Sequence, residues 1–121
     1  MKKLLNGQWK VYIQLFMKKG TKERLYLKPG ITQFQDANAR LYYNDILEKE
    51  SFKKHFDNRV LWSAIFPSKG EAERFEKKLL QSLGDPVDLG FKTSGVSEVR
   101  KYDHEKWISL CTESLYNSNK K

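Results

Sequence analysis

The chain has 121 residues, 39% of them hydrophobic and 31% charged, proportions ordinary for one soluble domain with a modest core. Lysine and arginine number 23 against 15 acidic residues, a net charge of +8 that favours an anionic partner, nucleic acid before acidic membrane. The single Cys111 excludes an intramolecular disulfide and suits a reducing cytoplasm. Together with His55 and His104 it is too few for a tetrahedral zinc site. The opening MKKLLNGQWK lacks the apolar core of a signal peptide, and the longest nearly apolar run, Val60–Phe66, is far too short to cross a bilayer, so no membrane partner is expected.

In chain order, Trp9–Met17 alternates, with Trp9, Val11, Ile13, Leu15 and Met17 on one face and Lys10, Tyr12, Gln14 and Phe16 on the other. Lys18–Thr21 forms a turn in which Gly20 supplies positive φ. Arg24–Lys28 alternates again, so the two runs form a β-hairpin. Pro29 cannot donate to a ladder and Gly30 breaks it, which predicts the strand end there. Asp36 caps a helix over Ala37–Tyr43, and a second helical stretch runs from Asp45 to Phe56. Arg59–Phe66 is apolar on both faces, as a central strand covered on both sides would be. Ser68 and Glu71 form a capping box that opens a helix ending at Gly84. Phe91–Ser97 is loop, Glu98–Tyr102 a short strand, and Lys106–Tyr116 a last helix with Trp107, Leu110, Cys111 and Leu115 inward. The tail from Asn117 to Lys121 is expected to fray. The order predicts an α+β fold: a small, mainly antiparallel three-stranded sheet flanked by helices, in one domain.

Within the helix after Pro67, Ala72, Phe75, Leu79, Leu80 and Leu83 make an apolar stripe, and at roughly 100° per residue Glu76 falls near its middle. A buried carboxylate needs a cation, a metal or a raised pKa. The plain alternative is a salt bridge to Arg40 or Arg59. Tyr12, Tyr26 and Lys28 project from one face of the hairpin, where a tyrosine or lysine near cations can shuttle a proton. They are equally well read as ordinary strand residues. Arg40, one turn into its helix, can hold a phosphate or serve as a surface arginine.

These elements together resemble the GIY-YIG nuclease superfamily over about residues 8–103. Lys10-Val11-Tyr12 stands at the first half-motif, and Tyr26-Leu27-Lys28-Pro29-Gly30 at the second. Arg40 matches the arginine of the following helix, and Glu76 the glutamate of the later one. Lys28–Thr32 and Ser97–Tyr102 look most like a phage-associated branch. The resemblance implies a GIY-YIG-like core with a C-terminal helix at about 105–116, in a bacterial or phage-infected cytoplasm. It implies Mg²⁺- or Mn²⁺-dependent endonuclease cleavage of DNA, with Glu76 as metal ligand and Arg40 stabilising the phosphate. Tyr12 or Lys28 would activate water, with Tyr26 and Tyr43 orienting it. Lys28 replaces the second motif's tyrosine, so the identity of the base stays open. A concerted double-strand break would call for a homodimer, and a protein partner could supply specificity. The alternatives are a catalytically degenerate DNA-binding or protein-interaction module, and a small basic regulator that presents aromatics around Trp107 and Tyr116.

Overall fold

The computed structural model describes residues 3–36, 56–87 and 98–119, with side chains described as far as residue 112. Four strands and two helices are present: β1 (Trp9–Lys18), β2 (Arg24–Thr32), β3 (Phe56–Phe66), α1 (Lys69–Leu83), β4 (Arg100–Lys101) and α2 (His104–Asn119). The sheet is antiparallel, in the order β3-β1-β2-β4. The expected α+β class is present; the short strand expected over Glu98–Tyr102 is the two-residue β4, which joins the sheet and makes it four-stranded where three strands were expected. The expected helices over 37–43 and from 45 onward lie outside the described residues, except that Phe56 opens β3.

The hairpin forms where the Gly20 turn places it, with Gly20 at φ 73°. The Lys18 carbonyl accepts from both the amide and the hydroxyl of Thr21. Asp57 pins the tip to β3: its carboxylate accepts from the Gly20 amide at 3.0 Å and pairs with Lys19 at 3.4 Å. That backbone N–H, ahead of the lysine, holds the Asp57 carboxyl below its usual range.

Two expectations about strands are corrected. β2 continues through Pro29 and Gly30 to Thr32, with Pro29 opposite Ile13 and Gly30 opposite Tyr12. Among the described residues β4 pairs with β2 only at Tyr26 and Leu27, so no strand on the side of Pro29 away from β1 requires its missing N–H. The second correction concerns the centre of the sheet. β1 is central, and among the described residues β3 is an edge. The unbroken apolar run in β3 comes from a bulge. Ile13 pairs with Trp62 and Gln14 with Val60, so Leu61 is the extra residue, and Leu61 and Trp62 both pack against the core.

The core lies between one face of the sheet and the two helices. Val11, Ile13, Leu15 and Leu27 meet Ala72, Leu79 and Leu83 of α1 and Trp107, Leu110 and Cys111 of α2. α1 starts as its sequence requires, with the Ser68 hydroxyl accepting from the Glu71 amide at 3.2 Å, and it closes at Gly84 with φ 97°. α2 begins earlier than expected, because Asp103 caps it through the Lys106 amide, and it runs on through Asn117 to Asn119. Its inward residues Trp107, Leu110 and Cys111 are buried as predicted. Burial pushes the Cys111 thiol up to about 12, so it is inert packing. The Tyr102 hydroxyl accepts from Arg24 at 2.8 Å and from the Trp107 indole at 3.4 Å, which ties β2 to α2.

Candidate functional site

The site begins with the way Tyr12 is accommodated. Its cross-strand neighbours are Gly30 on β2 and Ser63 on β3, two small residues that leave room for a ring. A Cβ on Gly30 would stand 2.5 Å from the Tyr12 phenol oxygen and 2.6 Å from its ring carbon, so only glycine permits this approach. The result is a phenol laid across the β2 backbone, on a side chain only 1% exposed. The face that carries it is not the solvated polar face expected: Tyr12, Gln14 and Phe16 are all buried. Gln14 is satisfied in part by the Asn58 side chain at 3.3 Å.

Lys28 lies on the same face of β2 as Gly30, one strand repeat away, about 7 Å along the backbone. It is 6% exposed, unusual for a lysine, and its ammonium pairs with Glu98 at 3.2 Å. Glu98 comes from far along the chain. β4 delivers it, pairing with β2 at Leu27 and Tyr26, while the Tyr102 amide donates to the Leu25 carbonyl at 2.9 Å. Arg100 fixes this segment from the other side, with its guanidinium donating to the Leu80 carbonyl at the end of α1 at 3.4 Å. Burial lowers the Arg100 pKa, opposed by the nearby charges of Glu98 and Asp85.

Glu76 sits on α1 between Ala72 and Leu79, half-buried as its place in the stripe predicts. Burial raises its pKa to about 7, with the Glu98 and Glu73 carboxylates adding to the rise and Lys28 opposing it. Glu76, Glu98 and Lys28 thus form one charge cluster. The alternative of a salt bridge to Arg59 is not met: Arg59 is exposed on β3, and no ion pair joins it to Glu76 among the described residues.

The predicted site residues therefore divide. Lys28 and Glu76 share a cluster, and Tyr12 lies on the neighbouring strand, opposite Gly30, on the face that Lys28 shares. Tyr26 is committed elsewhere, its ring edge-on to Phe56 at 5.6 Å. Arg40 and Tyr43 lie outside the described residues. Glu98 is the residue that pattern reading did not assign. Its signal was present in the Ser97–Tyr102 element, but only strand pairing brings it to Lys28. The basic residues Lys18, Lys19, Lys22, Lys77 and Lys78 are exposed, while Lys53, Lys54, Lys120 and Lys121 are outside the described residues. Trp107 is buried, so it cannot be the exposed aromatic of a regulator.

No family model, no curated protein and no solved structure matches this chain. Among the described residues no helix is long and apolar enough to cross a membrane. The Glu98 charge raises the Glu76 pKa, and no group of three or more metal-ligating side chains is found among the described residues. One hard oxygen donor, the Glu76 carboxylate, is compatible with Mg²⁺, which keeps most of its waters and takes only one or two carboxylates.

Proposed function

We propose that the chain is a divalent-metal-dependent endonuclease of GIY-YIG type that hydrolyses DNA phosphodiester bonds. One observation carries the reading: a half-buried carboxylate on an otherwise apolar helix face, Glu76, shares a charge cluster with Lys28 on the strand where Tyr12 crosses Gly30. A packing role alone would be better served there by leucine. On this reading Glu76 holds Mg²⁺ or Mn²⁺. The ion would screen the phosphate and ease departure of the leaving oxygen. Tyr12, or Lys28 as a neutral amine released from Glu98, would take the proton of the attacking water. Arg40 stabilises charge on the non-bridging oxygens. The exposed lysines supply sequence-independent phosphate contacts, so affinity falls steeply with salt.

A second reading, a DNA-binding module of the same fold without catalysis, is favoured by one observation. Neither base candidate faces water: Tyr12 is 1% exposed, and Lys28 is 6% exposed with its ammonium on Glu98. Supercoiled plasmid nicking decides between the two. The nuclease reading expects nicking with Mg²⁺ or Mn²⁺, none with EDTA, and a loss of about 100-fold or more in Glu76→Ala with DNA binding retained. Near-wild-type nicking by that variant would remove Glu76 from the mechanism. No nicking, with salt-sensitive binding indifferent to Glu76→Ala, would establish the binding module.

A further inference from the structure

We infer that Glu98 is a positioning residue, whose carboxylate holds the Lys28 ammonium in place beside the Tyr12–Gly30 crossing and does not itself touch substrate. The functional half of this inference rests on the nuclease reading above.

The geometry has three parts. First, Lys28 is almost wholly buried, and its charged end meets Glu98 at 3.2 Å, the one ion pair it makes among the described residues. A long, flexible ammonium restrained by a carboxylate in a buried setting has one orientation where a solvated lysine has many. Second, the arm that presents Glu98 is held on three sides. Val99 is fully buried, and its carbonyl accepts from the Val87 amide at 3.0 Å. Arg100 is paired with Leu27 across the β4–β2 ladder and donates to the Leu80 carbonyl. Tyr102 continues the contact to Leu25. Glu98 is thus placed by the backbone pairing of the residues that follow it, Val99 to Tyr102, not by its own side-chain contact alone. Third, its side chain keeps 38% of its surface exposed while that of Lys28 keeps 7%. The carboxylate stands at the rim and the ammonium inside.

A clamp serving stability alone has no need of this pair. Burying the Lys28 ammonium behind a Glu98 carboxylate at the rim forfeits hydration that a methionine at position 28 would not, and apolar replacements of buried charges are commonly as stable or more so. Position 28 is also on the face that carries Tyr12, one repeat from the glycine that admits the phenol.

The test uses the full chain and two readouts. In ¹⁵N NMR of the lysine ammonium groups, Lys28 is expected to give a slowly exchanging signal that is lost in Glu98→Gln, with the amide signals of Arg100 and Lys101 in place. In plasmid nicking with Mg²⁺, Glu98→Gln is expected to lower kcat about 10- to 100-fold at unchanged KM. Lys28→Met should do the same, and the double variant should be no worse than either single one. A Lys28 signal unaffected by Glu98→Gln overturns the inference. So does an effect on KM alone, or a Lys28→Met/Glu98→Leu protein that nicks like wild type. If wild type does not nick while Glu98→Gln still frees the Lys28 ammonium, the nuclease reading fails and the restraint of Lys28 stands. If wild type and Glu98→Gln nick equally well, the inference fails and the nuclease reading stands.

Discussion

β1 and β3 are neighbours in one sheet, and their sequences suggest the opposite of their places. β1 alternates apolar and polar residues, the pattern of a strand with one wet face, yet Val11 through Phe16 are buried without a break. β3 is apolar almost throughout, the pattern of a strand covered on both sides, yet among the described residues it lies at an edge, and Ile65 is 53% exposed. The difference shows that apolarity measures what a strand can bury, while neighbours decide what it does bury. In β1 the nominally polar side chains are those that tolerate burial. Tyr12 lies flat against Gly30, and Gln14 shares a hydrogen bond with Asn58. In β3 the bulge at Leu61 turns two successive apolar residues to the same core and accounts for the unbroken run.

The largest test of this contrast compares two isoleucines. Ile13→Ala removes a fully buried side chain from the central strand and should cost about 2–5 kcal/mol. Ile65→Ala should stay within about 0.5 kcal/mol, because its side chain is already half in water. Urea unfolding of both variants reads the difference, and equal losses would mean that β3 is buried in a way the sheet order does not account for.

Next in size is Gly30→Ala, which probes the second buried face of β1. The added methyl meets the Tyr12 phenol at 2.5 Å, so the ring must move, at about 1–3 kcal/mol. A thermal midpoint equal to wild type would show that Tyr12 is not packed on β2. The change should also impair nicking if Tyr12 is the base, which gives the structural prediction a functional companion.

The smallest effect belongs to Glu76, on the helix that covers the other face of β1. With its carboxyl held at about 7, against 4.5 ordinarily, the folded protein keeps that proton more tightly than the unfolded chain. Between those values stability therefore falls as pH rises, and below 4.5 the contribution is fully present. Glu76→Gln removes the penalty. It should be more stable than wild type at pH 8, by on the order of 1 kcal/mol given the screening of a half-exposed group, and indistinguishable from it at pH 4. Urea midpoints at the two pH values measure this; a variant less stable at pH 8 would mean that the ionised carboxylate is stabilised by a partner.

Much of the candidate site was legible in the chain, for reasons particular to each residue. Glu76 was visible because a charge inside a helical stripe violates the 3.6-residue period. Lys28 was visible as a residue of the hairpin, but not as a buried one, because strand alternation assigned its face to solvent. Glu98 was not assigned at all. It acts across a gap of 70 residues from Lys28, and no local period encodes a contact of that range.

By itself the sequence determined the local elements: the hairpin through Gly20, the start of α1 at Ser68 and its end at Gly84, and the inward stripe of α2. These depend on backbone conformations and periods that a few adjacent residues specify. Only the tertiary structure decided that β1 takes the centre, that β2 passes through Pro29, and that Glu98 meets Lys28. Each of those is a pairing between distant segments. Its free energy resides in surfaces that do not exist until both partners are in place.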